Sequence, residues 1–309
     1  MSLAGLLCLS GVAQAGERLS VVATTGMIAD AVREVGGDRV EVRALMGSGV
    51  DPHGYRQTRT DIVAMTRADL VLWHGLYLEA QMEGFLEKLA RRQSVVAMAE
   101  SLPTDDLLSH AEYDDRIDPH VWMDPDLWSR VVLIVRDALI EASPDDADVF
   151  RDNADRFRAD LAQLADYARR VTATVPDGSR VLLTAHDAFG YFGRSYDFEV
   201  VGIQGISTQS EAGLSRIRTL VDLLVERDVQ AVFVESSVSD RNIRALIEGA
   251  ASRGHEISLG GELFSDAMGP DGSYEGSYIG MIDHNVTTIT RALGGEAPAG
   301  GMQGRLAGH

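Results

Sequence analysis

Cysteine is nearly missing from this chain of 309 residues, Cys8 being the single one. That excludes a disulfide scaffold and a Cys-ligated metal centre. Long apolar runs are missing too, since no segment approaches the ~20 uninterrupted apolar residues of a membrane-spanning helix. Positive charge is scarce, with 28 Lys and Arg against 47 Asp and Glu and a formal charge of −19. A surface that acidic repels phosphate backbones and anionic lipid, so no nucleic-acid partner is expected and peripheral membrane docking is disfavoured. Gly202 to Gly205 lacks the glycine spacings of phosphate-binding loops, and neither an HExxH helix nor a G-x-S-x-G elbow occurs.

What is present is ordinary globular material, 45% apolar and 24% charged, in a length that accommodates two lobes of about 150 residues. At the N-terminus, Leu3 to Val12 form a short apolar run ending in Ala13-Gln14-Ala15. That pattern is the apolar region and small-residue cleavage site of a secretory signal peptide over 1–15. No Lys or Arg precedes Leu3, which leaves the true translation start open. Cys8 follows Leu6 and Leu7 rather than a small residue, so a lipoprotein anchor fits poorly.

Short β-branched runs recur along the chain, each followed by a polar loop and a helical pattern. They are Leu19–Ala23, Val40–Leu45, Leu70–Trp73 and Ser94–Ala97, then Arg180–Thr184, Glu199–Ile203, Ala231–Val234 and Glu256–Leu259. This alternation predicts an α/β fold of two lobes, each a parallel sheet flanked by helices. Between them Ser143-Pro144-Asp145-Asp146 reads as a helix start with a hydroxyl cap and Pro in the first position. Phe150, Ala154, Phe157, Leu161, Leu164, Ala168 and Val171 then form one apolar stripe, and Pro176 ends the pattern. The expected organisation is an N-terminal lobe over 16–142, a linking helix over 143–176, a C-terminal lobe over 177–294 and a flexible tail over 295–309.

The chemistry points to histidine. Asp51-Pro52-His53 and Asp118-Pro119-His120 repeat one tripeptide, and His186 directly follows the strand Arg180–Thr184. In open α/β sheets the carboxyl ends of strands build the ligand site. Asp-Pro stiffens the backbone before each imidazole, and the Asp could take its second ring N–H. Asp266, just past the strand at Glu256–Leu259, could add a carboxylate. Three imidazoles and one carboxylate, two from each lobe, make a four-point set for a divalent transition metal. A single histidine at a strand end is more often a hydrogen-bonded loop residue; the doublet with two equivalent partners carries the metal reading. Protons would compete with the ion through the ordinary histidine range, about pH 6.5 to 5. His74 suits a supporting or satisfied loop role, and His110, His255 and His284 a surface one. Glu235, at a strand end on the same side, could orient a ligand or accept from a buried group.

The sequence resembles the metal-receptor class of solute-binding proteins that serve ABC importers for manganese and zinc. The resemblance rests on Val22–Ile28, Gly49–Tyr55, Asp118–Pro125, His186–Phe192, Gly205–Thr208, Val234–Ser237 and Gly261–Asp266, in family order from about residue 19 to 292. It implies two α/β lobes joined by one long helix and a His₃Asp site of His53, His120, His186 and Asp266. It also implies one Mn²⁺ or Zn²⁺ per chain as transported ligand, no organic cofactor, permease subunits of an importer as partners, and a periplasmic monomer that is not an enzyme. Where His74 stands, the family usually carries Asn. Zinc-dedicated members often insert a His-rich stretch before the second ligand loop. Here Asp105 to Asp118 contains only His110, which favours manganese, whereas imidazole at His186 favours zinc. The competing classes are a secreted metal-dependent hydrolase and a surface adhesin.

Overall fold

The computed structural model describes residues 18–110 and 116–306. The expected signal peptide, Cys8 and His309 lie outside the described residues. In the first half, β1 (Leu19–Ala23), β2 (Val40–Ala44), β3 (Leu70–Trp73) and β4 (Val95–Ala97) form a parallel sheet in the order β2-β1-β3-β4. All four residues of β3 are buried, as a central parallel strand covered on both faces requires. The crossovers carry α1 (Gly26–Gly36), α2 (Arg59–Arg67) and α3 (Glu83–Ala90). Thr25 caps α1 by accepting from the Ile28 N–H, and Thr58 with Asp61 forms a reciprocal capping box on α2.

A two-residue antiparallel pair, β5 (Ser109–His110) and β6 (Arg116–Ile117), leads into α4 (Pro125–Ala142) and the long α5 (Ala147–Thr172). Every residue of the expected apolar stripe on α5 is buried. Its start differs from the reading. Pro144–Asp146 form a 3-10 turn, and the Ser143 hydroxyl donates to the Asp146 carboxylate instead of capping an amide. The cause is the abrupt corner, because α4 ends one residue before Ser143.

In the second half β7 (Val181–Thr184) pairs in parallel with β8 (Glu199–Gly202), and β9 (Ala231–Glu235) with β10 (Ser258–Leu263). β7 lies beside β9. The helices are α6 (Gly190–Tyr196), α7 (Leu214–Glu226), α8 (Arg241–Ala251) and α9 (Tyr278–Ala292). β10 runs past the expected Leu259 through a bulge at Gly261, whose φ of +143° suits glycine. The architecture is thus the expected α/β one, with parallel strands flanked by helices and a long helix between the halves.

One apolar core runs from β1 and α1 through α4 and α5 into α6 and α9, and smaller clusters sit under α2–α3 and α7–α8. The segment after Gly294, expected as a flexible tail, is packed as far as residue 306. Glu296 N–H donates to the Thr174 hydroxyl, Met302 N–H to the buried Asp283 carboxylate, and Leu306 is buried. Its Gly/Ala composition misled because backbone groups make its hydrogen bonds. Among the described residues, no helix is long and apolar enough to cross a membrane.

Candidate metal centre

Loops at one end of the sheets bring the four candidate ligands together. His53 sits between β2 and α2, His186 follows β7, and Asp266 follows β10. His120 departs from the expected position, since it follows β6 of the small antiparallel pair rather than a strand of the parallel sheet. All four are at most 2% exposed, and one donor atom from each lies within 4.8 Å of the others.

The distances define a preformed cage. His120 Nε2 is 3.3 Å from His186 Nε2 and 3.3 Å from Asp266 Oδ1. His186 Nε2 and His53 Nε2 lie 3.2 and 3.7 Å from Asp266 Oδ2. A tetrahedral ion with bonds of about 2.0–2.2 Å needs donor–donor edges of roughly 3.3–3.6 Å, and these four contacts, at 3.2 to 3.7 Å and divided between the two Asp266 oxygens, lie close to that spacing. Both Asp266 oxygens and His53 Nε2 are buried and make no well-formed hydrogen bond. Buried acceptors left this way are costly unless an ion completes them.

Two imidazoles are clamped from behind. His120 Nδ1 lies 2.6 Å from Asp118 Oδ1, and His186 Nδ1 lies 2.5 Å from Glu235 Oε2. Each carboxylate also accepts the backbone N–H of its histidine. This places the proton on Nδ1 and leaves Nε2 to face the centre. Burial drives both rings toward neutrality, but the Asp118 charge outweighs it and lifts His120 to about 9. Glu235 and then Asp266 lift His186 well above its ordinary value in the same way. Burial pushes Asp266 up, yet the surrounding imidazoles, His186 foremost, hold it well below the usual carboxylate range. Burial wins at His53, which falls to about 3.

A profile of the family described as "Zinc-uptake complex component A periplasmic" matches residues 21–292. The chain belongs to this family. It is 47% identical over 279 residues to the manganese-binding lipoprotein MntA of Bacillus subtilis (strain 168), covering 90% of this chain and 91% of that one. It is 44% identical over 273 residues to the zinc-binding protein TroA of Treponema pallidum (strain Nichols), covering 88% of each. The solved structure of the periplasmic zinc-binding protein TroA from Treponema pallidum superposes with a TM-score of 0.87, at 44% identity, over 90% of this chain and 99% of that one. Membership of a family of metal-uptake components implies membrane permease subunits as partners.

Around the cage of this family member, the two Asp-Pro-His loops do different work. Asp118 takes the ring of His120 as expected, but Asp51 does not take the ring of His53. Asp51 Oδ1 accepts the His53 backbone N–H at 2.8 Å, and Oδ2 accepts from the Thr208 hydroxyl of the other lobe at 2.6 Å. His74 stands outside the cage, held neutral by burial, with Nε2 donating to the Pro119 carbonyl at 2.6 Å. His284 is buried rather than on the surface, its Nε2 at 2.8 Å from the Glu262 carbonyl. His255 bonds the Val229 carbonyl, and the side chain of His110 is outside the described set.

Two residues escaped the sequence reading. Buried Glu79 accepts from the Thr24 hydroxyl and from the His74 and Gly75 N–H groups, tying together the ends of β1 and β3. Trp122 donates its indole N–H to the Ser265 carbonyl, beside Asp266, and sets its ring edge-on to His120. Neither carries a spacing signal, because each has a partner that only the fold brings near, the Thr24 hydroxyl for Glu79 and the Ser265 carbonyl for Trp122.

Proposed function

We propose that this protein captures one divalent transition metal ion between its lobes through His53, His120, His186 and Asp266, and hands it to the membrane subunits of an ABC importer. The supporting observation is the cage itself: four buried residues whose donor atoms lie within 4.8 Å of one another, with both Asp266 oxygens and His53 Nε2 lacking a hydrogen-bond partner. Manganese is the favoured cargo and zinc the close second. Both Asp266 oxygens face the centre, which offers a fifth donor to an ion that prefers oxygen and higher coordination. The identities to MntA and TroA agree with this pair of metals.

The reading is of a binder rather than an enzyme, because donors this deeply buried leave no face for a substrate beside the ion. It places residues 1–15 as an export signal and divides the chain into lobes over 16–142 and 177–294 with the link between. It takes the mature protein as a periplasmic monomer without a nucleic-acid partner. Metal-free protein is expected to gain thermal stability with Mn²⁺ or Zn²⁺ but not with Mg²⁺, which keeps its waters when offered nitrogen donors. A thousandfold excess over Kd adds about 4 kcal/mol. Equal shifts with all three ions would refute the site.

A further inference from the structure

Asp266 is the only carboxylate among the four proposed ligands, and neither of its oxygens makes a well-formed hydrogen bond. What turns both oxygens toward the centre is therefore the backbone that carries them. We infer that Trp122 is a positioning residue for Asp266. Its indole N–H, acting on the Ser265 carbonyl, holds the carboxylate in the two-oxygen bite that lets the cage take manganese as well as zinc. This rests on the metal-capture reading above.

Asp266 stands three residues beyond β10, and the two residues before it are both held. The Asn285 side chain of α9 brackets Phe264: its oxygen accepts the Phe264 N–H at 2.9 Å, and its NH₂ donates to the Phe264 carbonyl at 2.7 Å. Ser265 is held from 143 residues away, where the Trp122 indole donates to its carbonyl at 2.8 Å. That carbonyl shares one planar peptide unit with the Asp266 nitrogen, so its direction sets the plane from which the Asp266 side chain departs. The Ser265 hydroxyl lies 3.2 Å from that of Ser237, a weaker hold on the same residue.

Trp122 is itself firmly placed. It is fully buried in the 3-10 turn Val121–Met123 that follows His120, and the Tyr278 hydroxyl donates to its carbonyl at 2.7 Å. Its ring stands edge-on to His120 and to His74, with centroids 5.2 and 4.9 Å away. One rigid side chain thus packs against the ligand His120 and orients the ligand Asp266, whose Oδ1 lies 3.3 Å from His120 Nε2. Trp128 is buried just as completely, yet its indole N–H has no hydrogen-bond partner.

The two ions ask different things of Asp266. Zn²⁺ is satisfied by four donors, here three imidazoles and one carboxylate oxygen. Mn²⁺ prefers oxygen and a higher coordination number, so it gains from the second oxygen. Loosening Ser265 lets one oxygen turn away, which removes a donor from the harder ion and leaves the softer one its four.

Competition titrations of the metal-free full chain against a chromophoric chelator read both dissociation constants side by side. Trp122→Phe keeps an aromatic ring and loses the N–H. It is expected to weaken Mn²⁺ binding about tenfold, the lower end for a partner lost behind a ligand, while Zn²⁺ affinity stays near wild type. Co²⁺ loaded in place of either ion should absorb more strongly in the visible in this variant, as four-coordinate cobalt does relative to five-coordinate. Trp128→Phe removes an indole without removing a hydrogen bond and should keep the wild-type ratio of the two affinities. Ser237→Ala loosens Ser265 through its side chain and should lower the preference for Mn²⁺ in the same direction, which decides the matter should Trp122→Phe fail to fold. Equal losses for both ions in Trp122→Phe mark a merely structural role and overturn the inference, as does a wild-type ratio in that variant or, in its place, in Ser237→Ala. A wild-type chain that takes up neither ion stoichiometrically would instead sink the capture reading itself.

Discussion

Each ligand in this cage is asked to do a different job, and alanine scanning should separate them. Alanine at His53, His120, His186 or Asp266 is expected to weaken metal binding by at least tenfold in titration calorimetry, because even partners behind the ligands typically carry 10–100-fold. Asp266→Ala should hurt manganese more than zinc, and His255→Ala should match wild type. Protons compete on terms the environment sets. His120, raised to about 9 by Asp118, holds its proton at neutral pH in the metal-free protein, and Glu235 shifts His186 in the same direction. The ion must displace those protons, so affinity should fall from about pH 9 downward, up to about tenfold per unit for each proton. The ordinary histidine range of about 6.5 to 5 expected from sequence is therefore too low. A flat affinity between pH 9 and 7 would contradict this. Stability of the metal-free protein follows the same sign. The His120 contribution is full below 6.5 and lost as pH rises through about 9, while that of His53 is full above 6.5 and lost as pH falls toward 3. Melting curves at pH 6.5 and 9.5 check the first of these. The histidines and Asp266 were legible because a repeated tripeptide and strand ends mark them. Glu79 and Trp122 were not, since Glu79 accepts from a hydroxyl 55 residues away and Trp122 donates to backbone 143 residues away.

At the scale of elements, hydrophobic periodicity was a good guide because β-branched runs and apolar stripes are written locally. The strand–helix rhythm and the α5 stripe follow from it directly. Where tertiary packing chooses, the sequence was silent. It did not reveal the pair β5–β6, the tight corner at Ser143, or the extension of β10 through Gly260-Gly261. α5 is the element on which both halves lean, with Phe150 and Phe157 buried in the shared core. Phe157→Ala should therefore cost about 3–5 kcal/mol in chemical denaturation. A loss under about 1 kcal/mol would mean that the helix contributes only surface.

For the molecule as a whole, the lobes are less separate than their names suggest. Tyr278 of α9 donates its backbone N–H to the Asp30 carboxylate of α1 and its hydroxyl to the Trp122 carbonyl, and stacks on Trp128 at 5.4 Å. A core continuous through these rings predicts one cooperative melting transition in scanning calorimetry of the metal-free protein. Two resolved transitions would show the halves folding independently. The packed C-terminal segment carries a practical lesson. Composition invites trimming the chain at Gly294, yet Asp283 beneath it takes two of its hydrogen bonds from the Met302 amide. Arg305 also covers the ring of Tyr274, another partner of Asp283. A shortened protein would open a buried acid to water in α9, five residues along from the Tyr278 that joins the lobes. What looks like a disposable end is a plug, and an affinity handle placed there belongs beyond residue 306.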